Sequence, residues 1–356
     1  MKGAFPLRTI HVDTGKPYYI FIERGIIDQC GLFVRKISDA QKVTVITDSN
    51  VAPIYQWRVL NSLEKQGFEV KTHIFQAGEE SKNLNTIADF YNTFAEFKMT
   101  RKDIVLALGG GVTGDMAGFA AATWLRGIDF VQVPTSLLAQ VDSSVGGKTG
   151  VDVPQGKNLV GAFHQPKAVL IDPDTLHTLP DAYVCDGMAE VIKYGCFKDA
   201  EFFENLCQVD AIDHIEDVIE KCVTIKRDVV SRDEHEHGER MLLNFGHTLG
   251  HAIEKIYNFK QISHGMAVAI GMVLITKASE KAGLTEPGTA DKIADVCLKY
   301  SLPTTDEASF EEMAKAAQSD KKTAADSINL VLLNKIGDSF TKSVKLDELL
   351  DFIKTD

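Results

Sequence analysis

The sequence predicts a two-domain α/β protein, with a mostly parallel, helix-covered sheet in its first half and helices in its second. Three observations carry this. The chain has 356 residues, too many for one comfortable hydrophobic core. Short β-branched runs alternate with longer amphipathic segments over the first half, the pattern of strand–helix–strand units. After Leu179-Pro180 the texture changes, and apolar residues recur at helical spacing.

In order along the chain, Val43-Thr44-Val45-Ile46-Thr47 reads as a buried strand that stops at Asp48-Ser49-Asn50. A helix is predicted around Ile54 to Gln66 and a second strand near Val70 to Phe75. Ile104 to Leu108 is a third buried strand, which runs into glycines and then a helix from Asp115 to about Leu125. Phe130 to Pro134 is a further strand ending at Thr135-Ser136. Beyond Asp181 the helical periodicity runs through Val218, Ile219, Cys222, Val223 and Ile225, then Ile253 and Ile256, then Val268, Ile270, Val273 and Leu274. Only Ile328 to Leu333 looks like a late strand. The domain boundary falls at residues 175 to 182, dividing the chain into 1–178 and 179–356.

Composition narrows the function classes. Hydrophobic residues at 44% and charged residues at 25% are ordinary globular values. A net charge of −12 argues against a nucleic-acid partner, which would call for a basic face. An anionic substrate must then be met by a few basic residues placed locally. The six cysteines include no C-x-x-C pair, as expected of reduced thiols in a cytoplasmic protein. No apolar targeting core is seen, and the longest apolar stretch, Val268 to Ile275, is far short of a membrane span.

Gly109-Gly110-Gly111-Val112-Thr113-Gly114-Asp115 satisfies G-x-G-x-x-G between a predicted strand and a predicted helix. Glycine is needed at such a turn where a pyrophosphate must approach the backbone at a helix N-terminus; the alternative is a tight turn with no ligand. The acid expected about 20 residues further on is not in place, since Asp129 comes early, and Asp48 at the end of an earlier strand is better positioned. Gly146-Gly147-Lys148-Thr149 is not a P-loop, because the required first glycine is replaced by Asp142. It leaves a lysine in a glycine turn, as does Gly156-Lys157-Asn158. Both present an ammonium either to phosphate or simply to solvent.

His247 and His251 lie one turn apart on one helix face in Asn244 to Glu254, and His264 stands between Ser263 and Gly265 before the next helix. Neutral imidazoles in apolar helical surroundings are either packing residues or ligands for zinc-like metals, and an i,i+4 pair is a compact chelate. His235 and His237 lie inside the charged stretch Arg232 to Arg240, which reads as a solvated loop where no metal is expected.

Taken together, these stretches resemble the 3-dehydroquinate synthase family. The likeness runs through Gly78-Glu79-Glu80-Ser81-Lys82, the Gly109 to Asp115 turn, Pro134 to Gly150, Lys157-Asn158, Met188 to Gly195, Leu243 to Glu254, His264-Gly265 and Asp320-Lys321-Lys322. It covers most of the chain in order, and the Pro134 to Gly150 and Asn244 to Glu254 runs are its most specific parts. Thr113, Ser136 and the stretch after Lys322 depart from the family pattern.

The resemblance implies a Rossmann-like NAD-binding α/β domain, an all-α metal- and substrate-binding domain, a homodimer, and bound NAD with zinc or cobalt. By this similarity the metal ligands are Glu190, His247 and His264. NAD contacts come from Asp48, Glu79, Lys82, Gly110, Gly111, Val112, Thr113, Gly114, Asp115, Thr135, Ser136, Asp142, Lys148, Lys157, Thr175 and Thr178. Catalytic groups are Asp142, Lys193, Lys226, Arg240, Asn244 and His251; substrate contacts add Arg126 (from the other subunit), Lys148, Asn158 and Lys322. The implied reaction converts 3-deoxy-D-arabino-heptulosonate 7-phosphate to 3-dehydroquinate and phosphate, in the shikimate pathway to aromatic amino acids. Two rivals share the architecture. A metal-dependent polyol or alcohol dehydrogenase of the glycerol dehydrogenase type would release NADH and need no phosphate cradle. Another sugar phosphate cyclase would tend to differ at Lys226, Asn244 and His251.

Overall fold

The computed structural model describes residues 7–319 and 326–354. In chain order its strands are β1 (Arg8–Val12), β2 (Tyr18–Ile22), β3 (Lys42–Asp48), β4 (Glu69–Phe75), β5 (Ile104–Gly109), β6 (Asp129–Pro134), β7 (Lys148–Val153), β8 (Gly156–Phe163), β9 (Ala168–Ile171), β10 (Ser327–Lys335) and β11 (Asp338–Lys345). The helices are α1 (Cys30–Ile37), α2 (Ala52–Lys65), α3 (Leu84–Glu96), α4 (Gly111–Thr123), α5 (Asp181–Lys198), α6 (Ala200–Gln208), α7 (Ile215–Arg232), α8 (His247–Ile256), α9 (His264–Lys281), α10 (Thr289–Lys299), α11 (Phe310–Ser319) and α12 (Leu349–Ile353). Two compact units result: Met1–Pro180 with Ile219–Glu234, and Asp181–Val218 with His235–Asp356. The segment 219–234, which the sequence division placed in the second domain, is held in the first unit by Glu220 on Arg8 (2.6 Å), Lys226 on Asp142, and Glu234 on Gln165 (2.8 Å).

In the first unit, seven strands form one sheet in the order β1-β2-β9-β6-β5-β3-β4. All neighbours are parallel except β1 and β2. β5 is buried along its whole length, as a parallel strand covered on both faces must be. Side chains alternate between the faces with the strand period of two. Val43, Val45, Leu106 and Leu108 pack under α1 and α2 with Val34, Val59 and Leu63. Ile46, Val105 and Ala107 pack under α3 and α4 with Phe90, Phe94, Met116 and Ala117. The sequence pattern located β3 to β6 but passed over β1, β2, β9 and the antiparallel β7–β8 hairpin, whose runs are short or polar.

The chain leaves β3 for β4 on one side and returns to pair β5 on the other side of β3. This reversal opens a crevice beyond the carboxyl ends of β3 and β5, the place where open α/β sheets bind ligands. Asp48 ends β3 and Gly109 ends β5, so both stand at that crevice.

The second unit is helical, with one two-stranded sheet added. β10 includes the expected late strand and pairs antiparallel with β11. β11 escaped notice because Asp338-Ser339-Phe340-Thr341-Lys342-Ser343-Val344-Lys345 is mostly polar, and only Val344 is buried. Among the described residues no helix is long and apolar enough to cross a membrane.

Candidate active site

The glycine turn of the first unit is bare backbone where a ligand would need to approach. Gly110 is the N-cap of α4 and supplies no side-chain cap to the helix amides. A Cβ on Gly110 would come within 3.2 Å of Ser136 Oγ, and one on Gly111 within 3.0 Å of Ser143 Oγ. Gly118 brings α4 against the sheet: a Cβ there would lie 3.1 Å from the Phe130 ring. An uncapped helix N-terminus at a switch crevice, with no side chain in the way, fits a dinucleotide pyrophosphate.

Around this turn the structure gathers many of the expected cofactor residues. Asp48 accepts from the amides of Asn50 (2.8 Å) and Val51 (3.0 Å) through one oxygen, and faces the Thr113 hydroxyl (3.4 Å) with the other. Lys82 pairs with Asp115 at 2.6 Å. Burial works against charge on Lys82, but the carboxylates around it, Asp115 first and then Glu79 and Asp152, together raise its pKa. Thr135 donates its amide to Gly109 (3.0 Å). Lys157 lies 3.8 Å from Glu79, on a hairpin where Asn158 takes φ 55° and donates its amide to Asp152. Thr175 is 1% exposed, and its hydroxyl accepts from Gln140 (2.9 Å) and donates to the Asp172 carbonyl (2.8 Å). The Thr178 hydroxyl meets Tyr55 at 2.5 Å.

Asp142 sits in a π turn, Ala139–Ser143, and receives Lys226 on its carboxylate and its carbonyl oxygen. Lys148 is exposed at the start of β7. Arg126 stands apart: it follows α4, a helix of 13 residues, and so lies about 20 Å from the glycine turn. Lys322 lies outside the described residues.

In the second unit, close helix packing assembles a cluster of imidazoles and carboxylates. Gly246, at φ 78°, starts α8 in a backbone conformation that favours glycine. Gly250 on α8 and Gly271 on α9 allow the two helices to touch backbone to backbone, since a Cβ on Gly271 would strike the Gly246 carbonyl oxygen. Asp186 on α5 accepts the Gly265 amide and fastens α5 to the start of α9, which Ser263 caps. One turn further along α5 stands Glu190.

Glu190 is thereby met by His247 Nε2 at 3.5 Å and His264 Nε2 at 3.3 Å. Ligand atoms of these three residues lie within 4.8 Å of one another. The opposite nitrogens are engaged too: His247 Nδ1–H donates to the Phe245 carbonyl (3.1 Å), and His264 Nδ1 faces Glu254 (3.5 Å). The Lys193 ammonium also pairs with Glu190, and both are about 2% exposed. His251 is half exposed, with its Nε2 3.9 Å from Glu254. Asn244 donates to Glu236 at 3.0 Å, and Arg240 is buried. Asn244, His247 and His251 line a cavity of about 220 Å³ with Lys255, Asn329 and Thr341.

Charge divides the two histidines. Burial and the nearby Lys193 hold His247 well below the usual imidazole range, so it is neutral with its Nε2 lone pair available. Burial also opposes charge on His264, but its bonds to Glu190 and Glu254 carry it up to about 10. The buried carboxylates therefore draw positive charge to this spot, and one Glu with two imidazoles is a donor set suited to a divalent zinc-like ion. Glu254 was missed in the sequence although its signal was present. It lies seven residues after His247 and three after His251, hence on the same helix face.

Comparison with known proteins gives the family. The description "3-dehydroquinate synthase N-terminal" matches residues 72–186, and "3-dehydroquinate synthase C-terminal" matches 187–323. A 3-dehydroquinate synthase of Clostridium botulinum is 51% identical over 93% of this chain and 96% of its own length. One from Clostridium acetobutylicum is 47% identical over 98% and 99%. A crystal structure of 2-deoxy-scyllo-inosose synthase, complexed with carbaglucose-6-phosphate, NAD+ and Co2+, superposes with a TM-score of 0.87 at 25% identity, covering 97% of this chain and 99% of that one. With both family descriptions matched in order across the two units, and relatives near half identity along almost the whole chain, this protein belongs to the 3-dehydroquinate synthase family.

Proposed function

We propose that this protein is a 3-dehydroquinate synthase, a lyase that converts 3-deoxy-D-arabino-heptulosonate 7-phosphate to 3-dehydroquinate and phosphate. The observation that carries the chemistry is the aim of two imidazole Nε2 atoms at one buried carboxylate, Glu190. The first unit is the NAD-binding domain and the second binds metal and substrate. Bound NAD would rest on the uncapped N-terminus of α4, and a divalent ion, Zn2+ or Co2+, would be held by Glu190, His247 and His264. When bound, NAD would supply the transient oxidation of a secondary hydroxyl and the ion would supply polarisation of that hydroxyl, chemistry that acidifies the adjacent C–H for loss of phosphate.

The protein's own residues do the rest. Asp48 holds the β3 end of the crevice through its turn, and Lys82 compensates the charge of Asp115 behind the glycine turn. Lys193, buried against Glu190, offsets the carboxylate's negative charge and adds to the effect of burial in holding His247 neutral. Lys226 is fixed by Asp142 rather than left to solvent, and such preorganised ammonium groups stabilise phosphate charge best. Half-exposed His251 is suited to contact the substrate phosphate and move a proton at its Nε2. In a chain of net charge −12, these local cations provide for an anionic substrate. Arg126, at the far end of α4 from the glycine turn, suits a contact with a second subunit in a homodimer.

Incubation with the heptulosonate phosphate, catalytic NAD and Zn2+ or Co2+ tests this directly. Phosphate release without net NADH is expected. Stoichiometric NADH from a simple polyol, with no phosphate release, would overturn it.

A further inference from the structure

We infer that Glu254 is a positioning residue for the metal site: its carboxylate holds the Nδ1–H of His264 and so commits the opposite nitrogen to the ion. This rests on the metal assignment above and extends it by one residue. Glu254 is 3% exposed in the third turn of α8, an uncommon place for a carboxylate without a task. His264 lies between two acids: Nε2 is 3.3 Å from Glu190 Oε1, and Nδ1 is 3.5 Å from Glu254 Oε2. A metal ion must displace one proton from this ring, and a carboxylate at Nδ1 keeps the remaining N–H on that side, so that the Nε2 lone pair is given to the ion beside Glu190.

The two ligand histidines are treated differently. His247 gives its Nδ1–H to a neutral carbonyl, that of Phe245, at 3.1 Å. His264 gives its own to a charged acceptor, which makes its Nε2 the stronger donor of the pair and locks the ring plane. The same Glu254 oxygen faces His251 Nε2 at 3.9 Å, so this carboxylate stands behind one metal ligand and beside the substrate-facing histidine.

A different role is geometrically open. His251, Glu254 and His264 also have ligand atoms within 4.8 Å of one another and could in principle hold a cation themselves. Two facts favour the Glu190 side. His251 is 50% exposed, whereas Glu190 is 2% exposed, so the Glu190 set loses less to water. And His247, whose ring centroid is 5.3 Å from that of His264, adds its Nε2 on that side only, its Nδ1 being taken by Phe245.

The test compares wild-type protein with Glu254→Gln and Glu254→Asp, using Zn2+ competition against a chelator and long-range proton–nitrogen spectra of the zinc-loaded histidines. Wild type should show His264 as the Nδ1–H tautomer with one zinc bound. Glu254→Gln, which keeps shape and loses charge, should bind zinc about ten- to a hundredfold more weakly with a faster off-rate and unchanged far-ultraviolet dichroism. Glu254→Asp should fall between. Equal zinc affinity in Glu254→Gln, or His264 protonated at Nε2 in wild type, would overturn the proposal; the wild-type spectrum decides even if both variants fail to fold. A Co2+ spectrum that loses a ligand in Glu254→Gln would make Glu254 a ligand itself and also overturn it. If wild type binds no metal, or His247→Ala binds it fully, the underlying metal assignment fails instead.

Discussion

Gly271→Ala sets helix propensity against the approach of two helices. In an open helix, alanine in place of glycine stabilises by about 0.8–1.0 kcal/mol. At Gly271 the new Cβ would lie 2.8 Å from Gly250 N and 3.1 Å from the Gly246 carbonyl carbon, and nearer still to the Gly246 oxygen. Ordinary contact begins at 3.4 Å, so Gly250 N alone must retreat by 3.4 − 2.8, about 0.6 Å. The obstructing atoms are backbone, which cannot swing aside, so the cost belongs at the upper end of the roughly 1–3 kcal/mol typical of overpacking. Net destabilisation of about 1–2 kcal/mol follows, or a fall of about 2–8 °C in the melting temperature of the metal-free protein. The same displacement separates His247 on α8 from His264 on α9. Metal ligation tolerates only about 0.2 Å, so zinc affinity should drop at least tenfold. Thermal unfolding and chelator competition read the two effects. A variant as stable as wild type with unchanged zinc affinity would refute the reasoning that backbone contact between α8 and α9 sets the site.

Other perturbations reach different parts of the protein. His247→Ala should remove metal and activity together, measured by metal content and phosphate release, whereas His251→Ala should retain metal and slow turnover; loss of metal from the second would return His251 to the ligand set. Lys82→Met leaves Asp115 buried without its 2.6 Å partner and should cost about 3 kcal/mol in urea unfolding; a cost below about 1 kcal/mol would mean the pair is not buried in solution. Burial, the dominant cause at both His73 and His164, lowers their folded pKa below the ordinary 6.5. The unfolded chain therefore takes up protons first. Their contribution to stability is full above pH 6.5 and is lost as pH falls through their folded values. Urea midpoints should decline below pH 6.5, and less steeply in a His73→Gln/His164→Gln variant; equal slopes would show that these groups do not carry the effect.

Much of the first unit was legible because parallel strands buried on both faces leave continuous apolar runs, as in Ile104 to Leu108. β1, β2 and β9 were harder, since four or five residues give little periodicity to count. The polar β11 was illegible because it gains its pattern only by pairing with β10. The helix 215–232 had a clear period, yet nothing local reports that residues 219–234 belong with the first unit. That depends on partners such as Arg8 and Asp142, distant in sequence.

The histidines show where local information stops. Spacing alone joins His247 to His251 on one helix face, and the chain order of the motifs points to a family whose pattern replaces His251 by His264 and Glu190. These are properties of the sequence by itself: residue identities, helical period, and the order of glycine-rich and histidine-rich runs. Only the tertiary structure decided that α5, α8 and α9 pack closely enough, through Asp186, Gly265, Gly250 and Gly271, to bring Glu190, His247 and His264 within 4.8 Å. It also decided that Glu254 is buried at the back of His264. A helix face is a local property, set by 3.6 residues per turn. Which atoms of three helices meet is not local, because it depends on how closely their backbones approach and on the missing side chains that allow it.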